Sequence, residues 1–90
     1  MPTIHLLIKG NVQGVNYRAS AKDQADRLSI KGWVRNTPEG HVEITATGSN
    51  SALEQFADWC RRGPRHATVT AVEKKTLPET PFESFIIRRG

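Results

Sequence analysis

Apolar and polar positions alternate in residues 3–9: Ile4, Leu6 and Ile8 fall on one face of a strand, His5, Leu7 and Lys9 on the other. An apolar residue on the second face marks this strand as a central one. A glycine-bearing stretch follows. From Ala19 to about Ile30 the period changes, with Ala21, Ala25 and Leu28 at helical spacing and Lys22, Asp23, Asp26 and Arg27 turned outward. Gly32 is expected to stop this helix in a C-cap role. Trp33 to Asn36 reads as a short strand, Thr37-Pro38-Glu39-Gly40 as a turn, and His41 to Thr47 as a returning strand with Val42, Ile44 and Ala46 inward. Ser51-Ala52-Leu53-Glu54 has the pattern of a capping box, and Leu53, Phe56, Ala57 and Cys60 form the apolar stripe of a second helix ended by Gly63-Pro64. Ala67, Val69 and Ala71 alternate with Thr68 and Thr70 as the next strand. Residues 77–81 contain two prolines and read as a loop, and Phe82 to Arg88 reads as an edge strand.

The resulting order is β-α-β-β-α-β with one added C-terminal strand. Each helix joins strands that run the same way, and right-handed crossovers place both helices on one sheet face. The expected fold is α+β: a two-layer, ferredoxin-like sandwich with an antiparallel sheet of four to five strands and a second, partly wet face. A chain of 90 residues fits one domain spanning residues 1–90. The pattern leaves the pairing of the last strand open.

Composition narrows the setting. The single cysteine, Cys60, cannot form an internal disulfide and fits a reducing compartment. No run approaches the roughly 18 apolar residues of a membrane span, and the N-terminus lacks a signal-peptide core, so a cytoplasmic protein is expected. The net charge of +4 favours anionic ligands. Its basic pairs, Arg61-Arg62, Lys74-Lys75 and Arg88-Arg89, are scattered rather than gathered into a stripe with aromatics, which argues against nucleic acid.

The candidate chemistry lies between the first strand and the first helix. In Gly10-Asn11-Val12-Gln13-Gly14-Val15-Asn16-Tyr17-Arg18 the glycines permit positive φ, so that successive N–H groups can face one point. The helix N-terminus adds unpaired N–H groups and partial positive charge, and Arg18 adds a planar fork of donors. By itself such a loop is more often plain strand-to-helix structure. The histidines are far apart in the sequence, Cys60 sits on an apolar stripe, and no metal-ligand spacing occurs.

These residues carry a family resemblance. Gly10-x-Val12-Gln13-Gly14-Val15-x-Tyr17-Arg18 resembles the first signature of the acylphosphatases, and Gly32-Trp33-Val34-Arg35-Asn36-x-x-x-Gly40-x-Val42, followed by Gly48, resembles the second. Gly63-Pro64 and Phe85-Ile86-Ile87-Arg88 match as well, so the likeness runs in order along the chain. Asn11, Asn16 and Tyr17 depart from the usual residues; none replaces one that the family's mechanism uses directly. The resemblance implies the same fold and the hydrolysis of acyl phosphates to carboxylate and inorganic phosphate. It implies a phosphate-binding loop of Gln13, Gly14, Val15, Asn16, Tyr17 and Arg18, with Arg18 and Asn36 catalytic: Arg18 holds the phosphoryl group and Asn36 orients the attacking water. It further implies no metal or cofactor, a small acyl phosphate as the partner, phosphate as a product inhibitor, and a monomer that engages neither membrane nor nucleic acid. The alternatives are a non-catalytic ferredoxin-like module binding RNA or a small anion, and a carbamoyl-phosphate-handling maturation domain, which normally belongs to a much longer chain.

Overall fold

The computed structural model describes residues 1–89, so the final residue of the expected domain lies outside the described ones. Alternation at the start of the chain becomes β1 (Thr3–Asn11). The remaining elements are α1 (Tyr17–Arg27), β2 (Lys31–Asn36), β3 (Val42–Thr47), α2 (Asn50–Arg62), β4 (Thr68–Leu77) and β5 (Phe85–Ile87). They build a sheet of order β4-β1-β3-β2-β5, with β1 internal as Leu7 suggested. Ile4, Leu6 and Ile8 of β1, Val34 of β2 and Val42, Ile44 and Ala46 of β3 are buried with Tyr17, Ala21 and Ala25 of α1 and Leu53, Phe56 and Cys60 of α2. The alanines let α1 lie close to the sheet, and the expected stripe of α2 is its buried face.

The first four strands pair antiparallel, as expected. The fifth makes the sheet mixed, because β5 runs parallel to β2 in the register Gly32↔Phe85, Trp33↔Ile86, Val34↔Ile87. The reason lies in the connection. β4 ends opposite Thr3, and the chain crosses to the other sheet edge at that same end. There Thr47 Oγ1 donates to the Thr80 carbonyl at 2.7 Å and the Thr80 N–H donates to Thr3 Oγ1 at 2.9 Å. A chain arriving from that end can only run alongside β2 in the direction of β2. β4 also extends to Leu77, beyond the expected strand, because it pairs along the whole of β1; the charged run Glu73-Lys74-Lys75 hides the alternation.

Two helix ends differ from expectation. Gly32 does not stop α1. The helix closes at Leu28, with Ser29 left-handed at φ 58°. The Ile30 N–H reaches the Ala25 carbonyl at 2.8 Å and the Ser29 N–H reaches that of Asp26 at 3.2 Å. This is a Schellman closure whose trailing apolar residue, Ile30, is buried. Gly32 lies inside β2 at φ 146°, where a Cβ would come 1.9 Å from the Thr45 carbonyl oxygen. Gly32→Ala therefore forces two strands apart and demands a backbone angle that alanine avoids. The expected loss is on the order of 3 kcal/mol, measured as a lower denaturant midpoint. The cap of α2 is Ser49 rather than Ser51: Ser49 Oγ accepts from the Ala52 N–H at 3.1 Å, so the helix starts before the expected box.

The face of the sheet away from the helices is closed by ion pairs. Glu43 accepts from His5 Nε2 at 2.7 Å and from Arg35 Nε at 2.5 Å, which ties β3 to β1 and β2. Arg88 covers the Trp33 ring, 4.6 Å from its centroid. Burial raises the Glu43 carboxyl, but the hydrogen bonds from His5 and Arg35 and their charges outweigh it and hold the group below its ordinary 4.5. A lowered folded value means stability that is present above about pH 4.5 and lost as pH falls below it. Glu43→Gln should thus be less stable than wild type at pH 7, and the gap should narrow toward pH 3. Urea midpoints at both pH values test this, and an unchanged gap contradicts it.

Candidate active site

Residues 12–16 connect β1 to α1. Gly14 takes φ 74° and Asn16 φ 66°, both left-handed; glycine pays no Cβ penalty there, and asparagine tolerates the region better than most residues. Asn16 is the N-cap of α1, yet its side chain makes no capping bond and no acidic residue lies in the first turn. None of the amides from Gln13 to Arg18 finds an acceptor among the described residues. A run of unpaired N–H groups therefore sits at the positive end of a helix dipole, which suits an anion.

The helix is anchored by its first residue. Tyr17 is buried, and its hydroxyl donates to the Cys60 carbonyl at 2.7 Å, satisfying one of the last carbonyls of α2. Its ring packs 5.4 Å from that of Trp59. Burial pushes the Tyr17 hydroxyl well above its ordinary value and the Cys60 thiol up to about 12, so both stay neutral. Their surroundings make them structural groups.

Asn36 is the last residue of β2 and pairs with Val42. Alternation along the strand puts it on the helix side with Val34, while Arg35 faces the opposite side. Its Oδ1 is buried and has no hydrogen-bond partner among the described residues. Leaving an acceptor so costs about 1–3 kcal/mol.

One pocket of about 320 Å³ is lined by Val12, Gly14, Asn16, Tyr17, Arg18, Ala19, Asn36 and Ile87. Arg18 is half-buried in it and makes no ion pair among the described residues. Of the expected site residues, the pocket gathers Gly14, Asn16, Tyr17, Arg18 and Asn36. Val15 instead packs against the core, and the Gln13 side chain turns to the β2–β3 turn. Ile87 is a lining residue that the sequence reading missed. It reaches the pocket because β5 pairs parallel with β2, with the Arg88 N–H bonded to the Val34 carbonyl at 2.8 Å. No local pattern announces that pairing.

Together the elements define a ferredoxin-like α+β domain whose pocket is lined by unpaired loop amides, Arg18 and Asn36. A family model described as acylphosphatase matches residues 4–87. Over 86 residues the chain is 41% identical to the acylphosphatase of Pseudomonas aeruginosa, covering 96% of this chain and 94% of that protein. It is 43% identical over 90 residues to the acylphosphatase of Methylococcus capsulatus, covering 99% and 98%. The crystal structure of acylphosphatase from Bacillus subtilis matches with a TM-score of 0.95 at 30% identity, covering 98% of this chain and 99% of that one. The chain belongs to the acylphosphatase family.

Proposed function

We propose that this chain hydrolyses acyl phosphates, with the phosphoryl group held by the 13–18 amides and Arg18 and the attacking water directed by Asn36. Family membership supplies the reaction: an acyl phosphate and water give a carboxylate and inorganic phosphate. The observation that carries the assignment is an Asn36 carboxamide oxygen and an Arg18 guanidinium that share one pocket, neither with a partner among the described residues. Neither end of that carboxamide is bonded to the described protein, so its terminal torsion is free to offer the oxygen to a water. The water oxygen bonds to phosphorus, the anhydride P–O bond breaks, and the carboxylate leaves with low basicity. The water's proton passes to a phosphoryl oxygen. Arg18 and the amides offset charge spread over the phosphoryl oxygens, so the protein's part is positioning and electrostatics. The scheme uses no metal, cofactor or covalent nucleophile.

Inorganic phosphate, as the product, competes for the 13–18 amides. The enzyme is read as a monomer, because the loop amides, Arg18 and Asn36 of a single chain supply every role in the scheme. It acts in the cytoplasm, where a buried free thiol such as Cys60 stays reduced. A continuous assay with benzoyl phosphate tests the whole. Hydrolysis should persist with a chelator and be competitively inhibited by phosphate, and scattering should give the monomer mass. Loss of activity on chelation would falsify the metal-free scheme.

A further inference from the structure

Gln13 stands in the phosphate-loop sequence, but its carboxamide is engaged elsewhere. Its Nε2 donates to the Thr37 carbonyl at 2.9 Å and to the His41 carbonyl at 2.8 Å. These carbonyls form the neck of the β2–β3 turn, and each already accepts a backbone bond: Gly40 N–H to Thr37 at 3.1 Å and Thr37 N–H to His41 at 2.9 Å. An amide nitrogen carries two protons, and both are used here, so this nitrogen has none left for a phosphoryl oxygen. Asn36 immediately precedes the turn that Gln13 grips.

We infer that Gln13 is a positioning residue: its carboxamide fixes the spacing between the loop that receives the phosphoryl group and the strand end that carries Asn36. The inference rests on the water-directing role proposed for Asn36. It assigns the Gln13 side chain no contact with substrate, while its backbone N–H stays with the loop amides. The tie runs from the residue before Gly14 to the residue after Asn36, so loosening it lets the two halves of the pocket drift. A misplacement of about 1 Å between reacting groups can cost 10²-fold in rate. A glutamate at this position has no protons to give and would set a carboxylate against two carbonyl oxygens. An asparagine is one methylene too short to keep the same reach.

The test is a double-mutant cycle of Gln13→Ala and Asn36→Ala, reading kcat and KM with benzoyl phosphate, the inhibition constant of inorganic phosphate, and Tm. Gln13→Ala alone should lower kcat roughly 10- to 100-fold, with the phosphate inhibition constant little changed. In the Asn36→Ala background it should lower the residual rate no further, because the residue it acts through is gone. Gln13→Met keeps the length of the side chain without its donors, so it serves should the alanine variant fold poorly, and it should give the same pattern. An equal loss in both backgrounds would make Gln13 a general support of the fold and overturn the inference while leaving the Asn36 role standing. Parallel weakening of phosphate inhibition would put Gln13 on the phosphoryl group instead. Full activity of Asn36→Ala alone would remove both readings.

Discussion

Asn36→Ala is expected to cut kcat by on the order of 10² to 10³, the usual cost of losing one preorganised polar group, and to leave inhibition by inorganic phosphate nearly unchanged. The split follows from where the groups sit. The amides that would grip phosphate belong to residues 13–18, and none of them bonds to Asn36. Product therefore keeps its contacts when the carboxamide is removed, while water loses its guide. Stability should not fall with activity. The Asn36 Oδ1 is a buried acceptor without a donor, so its removal takes away an unfavourable group rather than a contact. Tm of the alanine variant should match or exceed that of wild type. A variant that lost both turnover and Tm would mark Asn36 as a structural residue.

The loop, the two helices and the antiparallel core of the sheet could be read from the chain because each rests on a local period. Ile4, Leu6 and Ile8 or Leu53, Phe56 and Cys60 need only their own neighbours to declare a buried face. What could not be read depends on distant pairing. Gly32 follows a helical pattern and invites a C-cap reading, yet its real constraint is the Thr45 carbonyl across the sheet. Ser29 takes the left-handed cap because burying Ile30 stabilises the closure, and serine carries no local signal for that. Arg18 and Asn36 were legible as types of residue with a matching motif, and the fold explains their meeting: β1 and β2 are parallel members of one sheet, so their C-terminal ends share an edge. Gln13 was legible only as a member of the loop. Its side-chain direction follows from the β2–β3 turn lying beside that loop, and spacing along the chain does not encode it.

Arg18 should give the larger and broader loss. Arg18→Ala is expected to lower kcat/KM by on the order of 10⁴, two preorganised donors at about 10² each, and to weaken phosphate inhibition together with the rate. Arg18→Lys should recover little of either, because an ammonium keeps the charge but not the planar fork that meets two phosphoryl oxygens at once. Stability should move the other way. A cation in the first turn of α1 opposes the helix dipole, and no acidic residue there compensates it. Arg18 also makes no ion pair among the described residues, so replacing it breaks none of them. The alanine variant should be more stable by about 0.3–1 kcal/mol at low salt, and added salt should erase the gain. A residue that costs the fold stability and holds no partner among the described residues fits the anion-holding role proposed for it. If lysine restored full activity, a point charge would suffice and the bidentate grip assigned to Arg18 would be wrong.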